Sequence, residues 1–238
     1  MKVVRLKYAH NDPLFHRARV AAIPASNLAS AQLLLTGEAC CGFVPVTLAA
    51  RHGLPVVPRL AVYSDGPVIS SRLFKGGGAG YAAVEDTTVS ALALKAAMGI
   101  ELQRVATLDG AFAKYAGVLV IGDDALRLVD AGRPHIADVG EVWREKFGTP
   151  LVYAVLAASP KAERQEVLRA VEELENSLAH FYENPTPLVE QAAKRLGIST
   201  QLAERYFATG VKYHVTPRVV QGLQKQAEIM GLGELNLL

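Results

Sequence analysis

The chain has 238 residues, of which 50% are hydrophobic and 20% are charged. This apolar fraction excludes a disordered chain, and a chain of this length buries a large core. The 25 Lys and Arg residues nearly balance the 23 Asp and Glu residues, so net charge does not favour nucleic acid or an anionic membrane as a partner. Composition therefore predicts a soluble globular protein of mixed α/β class.

Several classes of protein are excluded by what the sequence lacks. Charges interrupt every apolar run near the N-terminus, and no stretch approaches 18 uncharged apolar residues. We therefore expect no secretory signal, no transmembrane helix and a cytoplasmic location. Cys40 and Cys41 are the only cysteines and are adjacent, which argues against a disulfide framework or a cysteine zinc site. The six histidines share no metal-binding spacing, so we expect no metal site.

The first part of the chain alternates strands and helices. The patterns predict strands at 3–8, 20–23, 40–44, 60–63 and 68–74, and helices at 27–35 and 46–51. A run of turn-forming residues from His10 to Pro13 follows the first strand. This part therefore has the strand and helix order of an open α/β sheet.

A segment with four glycines, Lys75 to Gly80, is the clearest break in composition, and it predicts a hinge, a tight turn or a flexible tip. A second α/β unit follows it. We expect strands at 81–84, 117–121, 136–139 and 151–157, with helices at 91–98, 122–129 and 142–147. From residue 160 onward we expect only helices, at 161–182, 187–196, 199–208 and 217–230.

This order predicts two lobes with a discontinuous first lobe. Residues 1–75 and 151–238, which include the helical C-terminal tail, form the first lobe, and residues 76–150 form the second. A cleft between two such lobes is a natural place for a small ligand. Tyr153 follows the second crossover and lies within reach of this cleft.

Three short segments contain residues suited to ligand chemistry. Asp86 to Ser90 places hydroxyls at a predicted helix N-terminus, which suits a carboxylate but also fits ordinary capping. Gly122 to Asp124 follows a buried strand and is either a cap or a group facing the cleft. His10 to Pro13 lies at the carboxyl end of the first strand, where α/β sheets bind ligands. Phosphate-loop, dinucleotide and nucleophile-elbow motifs are absent from the sequence, which favours cofactor-free chemistry or simple binding.

Five segments in chain order resemble one family. Residues 37–45, 66–74, 118–126 and 138–154 are similar to its GELDVALIP, GPVxSVLLF, ALLIGDRAL and DLGEEWRxxTGLPFVFA stretches. Tyr213, Gly222 and Leu223 fit its helical tail. On these motifs the chain resembles the menaquinone-biosynthesis family of the futalosine pathway, and most closely its chorismate dehydratases.

The resemblance implies a fold, a reaction and a set of site residues. The fold is that of the type II periplasmic binding proteins, in which two α/β lobes are joined by two crossovers. The reaction is the elimination of water from chorismate, a dicarboxylate, by a hydro-lyase without metal or redox cofactor. For carboxylate binding the resemblance implies Ser70, Ser71, Thr88 and Ser90. For orienting the leaving hydroxyl it implies Asp123.

The first loop departs from the family pattern. Chorismate dehydratases have YLNTLPLF there, and this chain has His10 at the position of the Asn, with Asn11 next to it. Either residue is the predicted reacting group. A His10 base predicts a rate that falls below about pH 6, whereas a flat profile points to Asn11.

Two other functions stay open from the sequence. Asn11 and Asp12 also resemble the CPNDTF loop of the sister enzyme 1,4-dihydroxy-6-naphthoate synthase, although Ile121 to Asp123 replaces that enzyme's IHE histidine. A non-catalytic protein that binds a small anion is the function suggested by the fold alone. The sequence does not indicate an oligomeric state.

Overall fold

The computed structural model describes residues 1–84 and 88–238, and its strands form two mixed sheets. The strands are β1 (Lys2–Leu6), β2 (Ala21–Ala25), β3 (Cys41–Pro45), β4 (Val56–Ser64), β5 (Ser71–Lys75), β6 (Tyr81–Val84), β7 (Gln103–Val105), β8 (Gly117–Ile121), β9 (His135–Asp138), β10 (Leu151–Ala158) and β11 (Lys212–His214).

Helices cover both sheets and build the C-terminal tail. They are α1 (Asp12–Phe15), α2 (Asn27–Thr36), α3 (Val46–Arg51), α4 (Thr88–Met98), α5 (Ala111–Lys114), α6 (Gly122–Asp130), α7 (Val139–Phe147), α8 (Arg164–Glu183), α9 (Thr186–Leu196), α10 (Thr200–Arg205) and α11 (Pro217–Met230). A 3-10 turn at Ala9–Asn11 precedes α1, and a π-helical turn at Tyr206–Gly210 follows α10.

The first sheet has the strand order β11-β4-β10-β3-β1-β2, and the second has the order β7-β6-β8-β5-β9. In the first sheet β1 runs parallel to β2 and β3, while β10 lies antiparallel between β3 and β4. In the second sheet β6 runs parallel to β7 and β8, and β5 lies antiparallel between β8 and β9. The architecture is therefore α/β with two sheets, as the sequence predicts.

The chain passes between the sheets twice. It leaves the first sheet after Ser64 and enters the second at Ser71; it returns through α7 and re-enters the first sheet at Leu151. Leu151 is paired with Ser64, so the two crossovers lie side by side. Strand β5, placed with residues 1–75 in the predicted first lobe, pairs with β8 and β9 of the second sheet. The sheets therefore divide the chain between Ser64 and Ser71 rather than after residue 75.

Buried apolar side chains fill three layers. One lies between the first sheet and helices α8, α9 and α10, and includes Leu6, Phe43 and Leu174. A second continues from the other face of the first sheet into the second sheet, and includes Trp143. A third covers the outer face of the second sheet. Because one layer spans both sheets, the walls of the space between them rest on a common core.

The glycine-rich segment is neither a hinge nor a flexible tip. The amides of Gly76 and Gly77 donate to Ala116 O and Phe112 O at 2.9 and 2.8 Å. A Cβ on Gly78 would lie 2.0 Å from Lys114 O. Glycine is needed here because two backbone segments approach closely, and their hydrogen bonds fix the segment to the second sheet's outer layer.

The C-terminal tail is not entirely helical, which corrects the prediction for residues beyond 160. Strand β11 adds an edge to the first sheet beside β4, and Tyr213 in its centre is buried. The predicted helix 199–208 also ends as an α-helix at Arg205 and continues as the π-helical turn. A three-residue strand carries too little alternation to be recognised without its partner strand.

Candidate functional site

A narrow cleft with a cavity volume of about 50 Å³ lies between the two sheets. This volume is below the roughly 300–1,000 Å³ that is typical of small-molecule sites, so a ligand of that size requires the two lobes to move apart. Its walls come from β1, β3 and β4 of the first sheet, from the first crossover, and from α4 and α6 of the second lobe. Five of the seven predicted site residues line it: His10, Ser70, Ser71, Thr88 and Ser90.

His10 is presented by the 3-10 turn that follows β1. The ring of Tyr8 lies 5.6 Å from the imidazole, between ring centres, on the cleft side of the turn. The Nε2 atom of His10 is buried and has no hydrogen-bond partner in the described part of the chain. Because His10 lines the cleft, this unpartnered ring nitrogen makes it the candidate to accept a proton from a ligand.

Burial and the nearby guanidinium of Arg5 lower the pKa of His10 to about 4. The imidazole is therefore neutral at pH 7 and can accept a proton. This changes the predicted pH profile, because protonation of a His10 base would reduce the rate near pH 4 and not below pH 6. A flat profile between pH 5 and 7 consequently no longer points to Asn11.

Asn11 and Asp123 lie behind the cleft surface and are not among the described residues that line it. Asn11 is fully buried, and its side-chain nitrogen donates to Leu6 O at 3.2 Å. Asp123 accepts a hydrogen bond from Ala9 N at 2.9 Å and pairs with Arg195 at 3.5 Å. Asn11 therefore holds the turn to the end of β1, and Asp123 holds it from the second lobe.

Two hydroxyls of the second lobe form a buried pair. Ser71 Oγ donates to Ser90 Oγ at 2.8 Å, which joins β5 to α4. Among the described residues the Ser90 hydroxyl has no acceptor for its own proton, and both residues line the cleft with Thr88. Asp86 and Thr87 of the same predicted anion-binding segment lie outside the described residues.

Ser70 is held in place by an unusual backbone turn. Ile69 has a φ of 67°, the described chain's one positive φ at a residue other than glycine, and Ser70 N donates to Val68 O at 2.7 Å across it. This pattern is a γ-turn of the strained form, which is rare for a β-branched residue. The buried carboxylate of Asp138 stabilises it by accepting from Val68 N and Ile69 N at 2.8 and 2.9 Å. Strain of this kind concentrates at functional sites.

Tyrosines complete the wall, and Tyr206 was missed by the sequence analysis. Tyr206 lies on the π-helical turn of the C-terminal tail, lines the cleft, and is 1% exposed. Burial raises its pKa, and its hydrogen-bond partner, the Ser70 side chain, opposes this rise. Tyr153 also lines the cleft, as expected, and its hydroxyl lies 3.1 Å from Ser64 Oγ. The sequence gives no local signal for Tyr206, because its position depends on the π-helical turn.

Gly122 brings the two lobes together at the cleft. It has a φ of +66°, and a Cβ there would lie 2.3 Å from Cδ1 of Tyr8. Its amide donates to Ser70 O at 2.7 Å, so the first amide of α6 is occupied. Gly122 therefore provides a close approach for Tyr8, whereas Asp123 gives no side-chain cap to this helix.

Two further features limit the kinds of site. Within residues 1–84 and 88–238, no group of three or more His, Cys, Asp or Glu side chains is placed to hold a metal ion. The helices in the same residues are all too short or too polar to cross a membrane.

Two lobes, two adjacent crossovers and a cleft between them define the class of protein that has the periplasmic-binding-protein fold. A Candida albicans protein described as having that generic fold matches with a TM-score of 0.71 and 13% identity, over 98% of this chain and 90% of that one. The alkanesulfonate-binding protein of Xanthomonas axonopodis pv. citri, bound to MOPS, matches with a TM-score of 0.70 and 15% identity, over 100% and 95%. At these identities the likeness establishes the fold.

Sequence comparison is more specific. The family model described as menaquinone biosynthesis matches residues 5–231, and the chain belongs to this family. A curated relative, the chorismate dehydratase of Thermus thermophilus, is 28% identical in sequence. The matched region covers 95% of this chain and 93% of the relative. The predicted family and fold are thus confirmed.

Proposed function

We propose that this protein is a hydro-lyase that eliminates water from chorismate to give 3-[(1-carboxyvinyl)oxy]benzoate, in the cytoplasm and in the futalosine pathway of menaquinone biosynthesis. The family assignment and the chorismate dehydratase relative support this choice of substrate. The observation that carries the mechanism is the buried, unpartnered Nε2 of a neutral His10 at the cleft wall.

In the proposed reaction, His10 Nε2 takes the proton from the ring carbon that carries the ether oxygen. The electron pair of that C–H bond forms the new ring double bond, and the bond between the adjacent carbon and its hydroxyl breaks. The departing hydroxide takes up a proton, which His10 can return, and leaves as water. Because the ring becomes aromatic, the reaction has its own driving force and requires no oxidant or reductant. A positioned base of this kind contributes about 10²- to 10⁴-fold to the rate.

The two carboxylates of chorismate need hydrogen-bond donors. We assign this role to Ser70, Ser71, Thr88 and Ser90, which line the cleft, and add Tyr206 through its bond to Ser70. Thr88 and Ser90 lie in the first turn of α4, where the free amides and the helix dipole favour an anion. Closure of the lobes around the substrate excludes water from the reactive diene.

Neutral His10 also suits this substrate electrostatically. A positively charged imidazole would pair with a substrate carboxylate and lose its capacity to accept a proton. The lowered pKa keeps the nitrogen unprotonated at pH 7, while Arg5 adds positive potential near the turn. Asn11, by contrast, uses its amide nitrogen to hold Leu6 O. We therefore assign the base to His10 and treat Asn11 as support for the turn.

The test is incubation of the purified protein with chorismate, with loss of one water followed by mass spectrometry. We expect turnover in the wild type, a decrease of about 100-fold or more in His10→Ala, and a smaller decrease in Asn11→Ala. His52→Ala, which changes an exposed histidine on α3's C-terminal side, is the matched control and should retain full activity.

Other outcomes distinguish the alternatives. If chorismate binds but is not converted, the proposal fails and the protein is instead a non-catalytic protein that binds a small anion. Release of a product other than the enolpyruvyl benzoate would indicate a different reaction of the same pathway. Full turnover by His10→Ala with loss in Asn11→Ala would transfer the reacting role to Asn11.

A further inference from the structure

The His10 turn is attached to the opposite lobe through Asp123. Asp123 is in the first turn of α6, which follows strand β8 of the second sheet, yet its Oδ1 accepts the amide hydrogen of Ala9 at 2.9 Å. Ala9 immediately precedes His10 in the first lobe. A backbone amide in the first lobe is thus satisfied by a carboxylate of the second.

Arg195 of the C-terminal tail joins the same carboxylate to the other side of the turn. Its Nη2 lies 2.6 Å from Asp12 Oδ2, and its Nη1 lies 3.5 Å from Asp123 Oδ2. Asp12, two residues after His10, also pairs through its second oxygen with Arg5 on β1. The planar guanidinium of arginine suits such a bridge between two carboxylates.

These contacts bracket His10. Ala9 on one side is held by Asp123, Asp12 on the other side is held by Arg195, and Arg195 and Asp123 are held to each other. We propose that Asp123 and Arg195 are positioning residues that fix the His10 turn against the second lobe, so that the imidazole reaches its buried position only when the lobes are closed. This inference rests on the proposed function of His10, and it gives Asp123 a role other than the predicted contact with substrate.

The exposure of the bridge argues that it contributes geometry more than global stability. The Arg195 side chain is 43% exposed, and half-exposed ion pairs stabilise proteins only weakly. A small displacement of a reacting group, however, reduces rates strongly, with about 100-fold lost for a shift of about 1 Å. Loss of the bridge is therefore expected to affect the His10 turn before it affects folding.

A nearby contact supplies the control. Arg127, also on α6, donates from Nε to Leu196 O at 3.0 Å, one residue beyond Arg195. It joins the same helix to the same end of α9, and none of its described hydrogen bonds involves the His10 turn. Arg127→Gln therefore removes a bond between the lobes without removing the bracket around His10.

The experiment follows the His10 imidazole by NMR titration in the absence of substrate. Its signal is assigned by its loss in His10→Gln. Four charged groups flank the turn: Arg5 on β1, Asp12 on α1, Asp123 on α6 and Arg195 on α9. The variants Asp123→Ala and Arg195→Gln are compared with Arg127→Gln and wild type.

The sign of the Asp123→Ala result separates positioning from simple charge. Removal of a negative charge near His10 would by itself lower the pKa of the imidazole. If the turn loosens, the imidazole is hydrated and its pKa rises from about 4 toward 6.5. We expect a rise in both Asp123→Ala and Arg195→Gln, and none in Arg127→Gln. An unchanged or lowered pKa in Asp123→Ala would overturn the proposal.

Kinetics with chorismate give the second measurement. Both variants should lose between about 10- and 100-fold in kcat with KM changed by less than about threefold, whereas Arg127→Gln should match wild type. A rise in KM with kcat unchanged would assign Asp123 to substrate binding and contradict positioning. If wild type does not turn over chorismate, the proposed function fails, and the titration still decides whether the bridge fixes the turn.

Discussion

The His10 turn and the glycine-rich segment are both rich in turn-forming residues, but they differ in how their polar atoms are satisfied. The backbone amides from Gly76 to Ala79 all find carbonyl partners between Phe112 and Ala116. In the His10 turn, by contrast, His10 Nε2 and Asn11 Oδ1 are buried without partners in the described residues.

The difference shows that the glycine-rich segment serves packing, whereas the His10 turn is part of a candidate site. Close approach of two backbones explains why the glycines are needed, and the segment leaves nothing for a ligand to complete. Buried polar atoms without partners cost free energy unless something satisfies them, and of these two residues His10 lines the cleft, where a ligand can do so. Composition alone left a hinge, a tight turn and a flexible tip open for the glycines.

The largest expected effect is a loss of stability on substitution in the glycine-rich segment. Gly78→Ala would place a Cβ 2.0 Å from Lys114 O and force two backbones apart. We expect a loss of about 3 kcal/mol in the free energy of unfolding, measured with urea at pH 7. Gly77→Ala meets no atom within 4 Å and should stay within about 0.5 kcal/mol of wild type. Equal losses in both variants would contradict the packing explanation.

The second prediction concerns the pH dependence of stability at His10. Its folded pKa is about 4 and its ordinary value is 6.5, so between these pH values the unfolded chain binds a proton that the folded protein does not. Stability should therefore fall as the pH is lowered from 7 to 5, with about 1–2 kcal/mol of the change attributable to His10. His10→Asn should remove this part of the slope.

The matched variant for that experiment is His52→Asn, at an exposed histidine. It should keep the full slope of unfolding free energy between pH 7 and pH 5. A His10→Asn slope equal to that of wild type would mean that the imidazole is not held neutral in the folded protein.

The smallest expected effect tests whether the cleft extends to the C-terminal tail. Tyr206→Phe removes the hydroxyl that bonds to Ser70, and we expect a decrease of about 10-fold in kcat/KM for chorismate. Tyr213→Phe removes a buried hydroxyl that has no partner among the described residues, and it should change kcat/KM by less than about twofold. A larger decrease in kcat/KM for Tyr213→Phe than for Tyr206→Phe would contradict a role of the Tyr206 hydroxyl in the cleft.

Much of the fold could be predicted because the elements are long or strongly patterned. The helices at 46–51 and 217–230 and the strands at 81–84 and 117–121 agree with α3, α11, β6 and β8 to the residue. The three-residue strands β7 and β11 were missed, because their pairing depends on distant segments. Strand β5 begins at Ser71 and not at 68, because Asp138 holds Val68 and Ile69 in the turn before it.

The candidate site was predictable in part for a related reason. The four hydroxyl residues were assigned from the resemblance to a family, and His10 from its place after the first strand and from the departure of its loop from the family pattern. The structure places all five around one cleft. The bond between Ala9 and Asp123 and the position of Tyr206 arise from tertiary packing. Local sequence also gives no measure of the burial that lowers the pKa of His10.

The place of β10 in the first sheet has a consequence for the order in which the chain folds. All five strands of the second sheet come from the continuous stretch 71–138, whereas β10 is inserted between β3 and β4. During synthesis the second sheet can thus be completed while β3 and β4 still lack the strand that joins them. We expect the second lobe to fold first on the ribosome, and the cleft to form only after residues 151–158 emerge.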